Sequence, residues 1–83
     1  MSEKSIGKVM DFFAHPVVAG IELSTSIKVG DAVHIKGATT DIQFVIDSLQ
    51  VNNTPVNKAS RGQQVGIKVI DRVRRGDVVY RVT

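Results

Sequence analysis

The stretch Lys28-Val29-Gly30-Asp31-Ala32-Val33-His34-Ile35-Lys36-Gly37 decides the fold class. Its first four residues are turn chemistry: glycine reaches the positive φ that a tight reversal needs, and aspartate bonds its own backbone. The residues behind the turn alternate. Val33 and Ile35 point one way, His34 and Lys36 the other, which is the period of a half-buried strand. Gln64-Val65-Gly66-Ile67-Lys68-Val69 shows the same period more cleanly, with Val65, Ile67 and Val69 inward. The turn itself has an echo in Arg74-Arg75-Gly76-Asp77. Behind that echo, Val78, Tyr80 and Val82 share one face of a final strand and Val79 and Arg81 take the other.

Outward from these segments, Gly20, Gly30, Gly37, Gly62, Gly66 and Gly76 with Pro16 and Pro55 cut the chain into short pieces. Short alternating pieces between turn signals predict an all-β fold. One strand runs from about Ser5 to Ala14. His15-Pro16 breaks it, and Val17–Leu23 returns as its antiparallel neighbour with Ala19, Ile21 and Leu23 on one face. Residues 41–51 are ambiguous by periodicity, since Ile42, Val45, Ile46 and Leu49 also match a helical stripe capped by Asp41. Their β-branched and aromatic content favours one long bent strand with a bulge near Asp47-Ser48. The polar segment Asn52–Ser60 reads as a surface loop.

The chain has 83 residues, enough for one domain with one core, and we read residues 1–83 as that domain with residues 1–4 flexible. Hydrophobic residues make up 42% and charged residues 23%, which excludes a disordered tail, a collagen-like repeat or a coiled coil. With no cysteine there is no disulfide, thiolate metal site or cysteine nucleophile, a composition that suits the cytoplasm. No apolar run reaches the roughly 18 residues of a membrane span, and the polar start Met1–Ser5 leads into no signal-like segment, so no membrane association is expected.

Catalytic constellations are missing. His15 beside Pro16 and His34 on its strand are not spaced as a zinc site, and the acids fall mainly into turns. No phosphate-cradling glycine loop of either common type is present. Neither enzyme activity nor a cofactor is therefore expected. Arg75-Gly76-Asp77 matches a cell-adhesion tripeptide, too short a match to count.

Charge is unevenly distributed. Up to Asn57, four lysines face six acids, a net of −2; from Lys58 onward seven basic residues face two acids, a net of +5. All five arginines lie in the last 23 residues. Arginine's planar fork suits phosphate, so Lys58, Arg61, Lys68, Arg72, Arg74 and Arg75 are the candidate RNA contacts; the same distribution also fits a solvated face that keeps a small protein soluble. The few aromatics, Phe12, Phe13, Phe44 and Tyr80, make such binding backbone-directed and salt-sensitive. Alternation places one of Phe12 and Phe13 outward, where the ring is covered by the chain's own N-terminal residues, stacks a base or docks a partner.

Laid out in this order, the strands resemble domain 2 of the translational GTPases, the β-barrel that follows the nucleotide domain in elongation factors of the Tu type. The resemblance is carried by Ile6-Gly7-Lys8-Val9, Val17 to Leu23, Ile27 to Gly37, Ser48-Leu49-Gln50, Gln64-Val65-Gly66-Ile67 and Gly76-Asp77-Val78-Val79. The chain is also similar to the small barrel at the C-terminus of some collagenase-like peptidases. The first resemblance implies a closed antiparallel β-barrel of about six or seven strands that contacts tRNA or ribosomal RNA. It does not supply an aminoacyl-end pocket, because the segment after Pro16 is shorter than in full factors and no GTPase domain is present. Two functions are thus expected in order: an RNA- or ribosome-binding module using the six basic residues, or a protein-interaction module that docks an enzyme or GTPase in trans through Phe12 and Phe13. Oligomeric state is left open.

Overall fold

Residues 3–14 and 17–82 are described by a computed structural model of the chain. All regular structure among these residues is antiparallel β: β1 (Glu3–Ala14), β2 (Val17–Leu23), β3 (Ile27–Lys28), β4 (Ala32–Lys36), β5 (Asp41–Val45), β6 (Leu49–Val51), β7 (Thr54–Pro55), β8 (Lys58–Ala59), β9 (Gln64–Lys68) and β10 (Val78–Val82). Eight of them form one sheet in the order β5-β4-β10-β1-β2-β9-β6-β7, and β3 pairs with β8. Val33, Ile35 and Val79 from one half of the sheet share a single core with Ala19, Ile21, Val65 and Ile67 from the other half. One sheet can bury both halves of one face in one core only by curling over on itself.

The ordering corrects three expectations. The edge strands β5 and β7 share no ladder among the described residues, so the sheet is curled but not closed into a barrel of six or seven strands. Residues 41–51 hold strand and no helix, but as two strands joined through residues 46–48 and not as one bent strand. The chain leaves β5, which pairs with β4, and re-enters the sheet as β6, paired with β9 near the opposite edge. A bulge cannot make that transfer. Ile46 makes it instead, fully buried and exchanging backbone hydrogen bonds with Gly30 and Asp31. Segment 52–60 likewise holds a hairpin and not a loop alone: Asn52 and Asn53 both take positive φ, 52° and 62°, as a two-residue turn between β6 and β7 requires. Glu3 and Lys4, read as a flexible start, pair with Val82 and Arg81, while Met1, Ser2 and the His15-Pro16 break lie outside the described residues.

The echoed turn occurs three times. Lys28–Asp31, Ser60–Gln63 and Arg74–Asp77 each carry a glycine of positive φ in third place, at 99°, 86° and 94°. In each, the fourth side chain accepts the backbone N–H of the first residue, at 3.0 Å for Asp31, 2.6 Å for Gln63 and 2.9 Å for Asp77. Each glycine N–H donates to a carbonyl on a neighbouring segment, of Ile46, Leu23 and Val9 respectively. The N–H of that same neighbour returns a bond to the carbonyl of the fourth residue. Buried Ile27, Ala59 and Val73 precede the turns, and buried Val33, Val65 and Val79 follow them. The middle copy, Ser60–Gln63, escapes a search for Gly-Asp because glutamine replaces aspartate there; its amide oxygen accepts the N–H as the aspartate carboxylates do in the other two.

Candidate functional site

The outer face of β1, β2, β9 and β6 forms a concave groove of about 530 Å³. Its floor is bare because Gly20 and Gly66 stand opposite each other in the β2–β9 ladder, and two facing residues without side chains leave a trough in an otherwise covered sheet. Alternation sends Phe12 inward against the core and Phe13 outward onto the rim of this groove, 56% exposed. Val18, which Phe13 faces in register, adds apolar surface. Asp11, Gln50, Gln64 and the Asn52-Asn53 turn ring it with hydrogen-bonding groups. The groove thus has an exposed aromatic and a valine along one side and hydrogen-bonding groups around the rest of its rim. Phe12 belongs to a different environment, with the Arg72 guanidinium 6.0 Å from its ring centroid.

The six basic residues do not converge. Arg61 lies in the turn hydrogen-bonded to Leu23 at one end of β2, whereas Lys68 faces Val18 near the other end, about 16 Å along the strand. Arg74 and Arg75 occupy the turn against Val9, Arg72 covers Phe12, and Lys58 pairs with Lys28 away from the main sheet. All six are exposed, but neither one strand face nor one loop carries them, so the sequence clustering of charge does not become a surface stripe.

On the outer face of the other half of the sheet, His34 departs from the exposed histidine that alternation predicts. It does point away from the core, but Glu3, Asp41 and Gln43 close over it and leave it 6% exposed. Glu3 Oε2 lies 2.5 Å from Nδ1, and Asp41 Oδ1 makes a short contact with Nε2. With a carboxylate acceptor on each ring nitrogen, both nitrogens must donate, which favours the imidazolium. The bond to Asp41, then that to Glu3, accordingly raise the His34 pKa above its ordinary 6.5 against the opposing effect of burial. Lys36 extends the cluster, 2.7 Å from Glu3 Oε1 and 5.3 Å from the Tyr80 ring centroid. The Lys36 and His34 bonds lower the Glu3 pKa below its ordinary 4.5. The cluster thereby straps the first described residue of β1 across β10 to β4 and β5.

A group raised on folding stabilises below its ordinary pKa and loses that contribution as pH rises through the folded value; a depressed carboxylate behaves oppositely. The strap is therefore strongest between the lowered Glu3 value and the raised His34 value. His34→Gln is expected to cost more stability at about pH 5.5 than at about pH 9 in urea unfolding, and equal costs at both would remove the imidazolium from the account. Sequence reasoning missed this cluster because its members come from three separated segments.

Among the described residues, no group of three His, Asp or Glu side chains is arranged to hold a metal ion. No helix among them is long and apolar enough to cross a membrane.

No protein-family model matches the chain. It is 42% identical over 76 residues to an uncharacterised protease of Methanocaldococcus jannaschii, covering 90% of this chain and 19% of that protein. It is 32% identical over 78 residues to a collagenase of Porphyromonas gingivalis, covering 92% of this chain and 22% of that protein. The chain thus spans about a fifth of the length of these relatives. Among solved structures, the C-terminal domain of a putative U32 peptidase from Geobacillus thermoleovorans superposes with a TM-score of 0.89 at 17% identity, covering 96% of this chain and 93% of that one. Its selenomethionine variant gives 0.87 at 18% identity, covering 92% of this chain and 96% of that one. These findings overturn the RNA- and ribosome-binding expectation and the translation-factor identity behind it: the relatives are a protease and a collagenase. The fold of this chain is that of the C-terminal domain of a U32 peptidase, the second of its two sequence resemblances.

Proposed function

We propose that the chain is a non-catalytic, cytoplasmic accessory domain that docks a U32-type protease body through the groove floored by Gly20 and Gly66, with Phe13 as anchor. The observation that carries the reading is Phe13, an exposed aromatic at the rim of the concave apolar groove of a fold otherwise seen at the end of a peptidase. In its relatives the matched stretch is about a fifth of a longer protease, so a protein surface is the natural neighbour of such a groove. Aromatic anchors in concave sites commonly account for about 2 kcal/mol or more of binding on truncation.

The test uses the Methanocaldococcus jannaschii protease with its matched stretch removed, titrated with this chain by calorimetry. Binding is expected, with competition from the excised stretch. Phe13→Ala should weaken it roughly thirtyfold, the equivalent of about 2 kcal/mol. Binding that Phe13→Ala leaves intact would exclude the groove, and absence of binding would exclude the protease body as partner.

A further inference from the structure

A second cavity, of about 580 Å³, lies away from the groove where the β3–β8 ladder meets the end of β10 and the start of β4. Lys28 and Lys58 face each other directly in that two-residue ladder. Like charges directly opposed on one face destabilise a strand pair, and a two-stranded ladder this short has little else to offset them. Arg81 joins them from β10. One guanidinium nitrogen donates to the Ser26 carbonyl at 2.9 Å and stands 3.8 Å from Asp31 Oδ2. Among the described residues Asp31 is the single acid on the cavity wall, and its carboxylate already accepts the Lys28 backbone N–H within the first of the three repeated turns. Its negative charge is therefore engaged by the turn and by Arg81. Among the described residues neither the Lys28 nor the Lys58 ammonium has an acidic partner within ion-pair distance.

The geometry points to a binding site for the carboxylate side chains of an acidic polypeptide segment, held by the Lys28 and Lys58 ammonium groups with the Arg81 guanidinium beside them. The three cations come from residues 28, 58 and 81, brought together only by folding. Paired ammonium groups on adjacent strands, with Cβ atoms about 5 Å apart, can bracket one carboxylate. An anion between them offsets the repulsion of the two facing lysines. That the carboxylates come from polypeptide rests on the protease-docking reading above; the charge imbalance of the cavity does not.

The probe is acetyl-Glu-Glu-Glu-amide, followed by amide NMR shifts of the isotope-labelled chain, with the Gln-Gln-Gln peptide and inorganic phosphate titrated separately. The Glu peptide is expected to shift Ser26, Ile27, Lys28, Lys58, Ala59, Ser60 and Arg81, and to bind several-fold more weakly at about 200 mM than at about 50 mM salt. The Lys28→Ala/Lys58→Ala pair should bind at least about tenfold more weakly, while its thermal midpoint stays level or rises because a repulsion has been removed. Phe13→Ala should leave the peptide titration unchanged, so the loss of either site is read independently of the other. Equal shifts with the Gln peptide, shifts with phosphate but not with the Glu peptide, or no shifts at these residues would each overturn the proposal. A large fall in thermal midpoint in the lysine pair variant would do so too, because it would give the two lysines a structural role.

Discussion

Gly7→Ala should destabilise the domain by about 3 kcal/mol, at the upper end of what overpacking a sound core costs. A Cβ at position 7 would stand 2.6 Å from the Glu22 carbonyl oxygen and 2.9 Å from Ile21 Cγ2. Neither atom is free to retreat. Glu22 belongs to β2, which is paired on its other side with Gln64 of β9, and Ile21 is buried in the core at 1% exposure. Gly7 sits at the bulge where β1 changes register against β10, so the strand there presses onto β2. In a domain of this size the cost corresponds to a fall in melting temperature of roughly 15 °C, readable by thermal denaturation followed by circular dichroism. Gly20→Ala is the matched control: the atoms nearest its Cβ would all belong to Asp11, the first of them Asp11 Cβ at 3.3 Å on the open groove, and its expected cost is below about 1 kcal/mol. Similar melting temperatures for the two variants would show that β1 and β2 can separate at Gly7 without loss.

Gly37→Ala carries the second largest expected effect, about 2 kcal/mol, by a different route. Here the new methyl group would stand 1.9 Å from Oδ1 and 2.5 Å from Cγ of Asp77, a carboxylate side chain and not a backbone atom. That side chain is buried and holds the third repeated turn through its bond from the Arg74 N–H. To make room it must swing away and abandon the N–H. The effect should therefore depend on Asp77. In an Asp77→Ala background, which itself costs about 1 kcal/mol for the lost bond, the added cost of Gly37→Ala should fall close to zero. Four urea unfolding curves complete the cycle. Strict additivity would mean that the backbone of β4, and not the carboxylate, absorbs the methyl group.

The two glycines bear on how much could be foreseen. Each stands in an ordinary strand or strand-end context, and nothing in the neighbouring residues marks it as sterically indispensable. The obstructing atoms, the Glu22 carbonyl and the Asp77 carboxylate, lie far away along the chain. By contrast, Gly30 and Gly76 were recognisable from the aspartate that succeeds each, because a turn is a local arrangement.

The same division runs through the candidate sites. Alternation sufficed to set one of Phe12 and Phe13 outward, since opposite facing of adjacent strand residues is a covalent consequence of the pleat. It could not say that Phe13 would border a groove, for that groove exists because Gly20 and Gly66 meet across two strands separated by the whole middle of the chain. Charge clustering misled for a related reason. Basic residues in a row along the sequence were read as one surface, but successive turns and strands carry them to different parts of the domain. The cations that do converge, Lys28, Lys58 and Arg81, are spread along the sequence.

Short-range periodicity in the amino-acid order was thus enough to establish an all-β domain, the inward sets Ala19-Ile21-Leu23, Val33-Ile35 and Val65-Ile67-Val69, and two of the three turns. Folding in three dimensions was needed to set which strands pair, to curl the sheet without closing it, to divide residues 41–51 between opposite edges and to cover His34. The physical reason is that a period of two assigns each residue a side of its own strand, whereas pairing and enclosure are settled by which distant strands best fill one shared core.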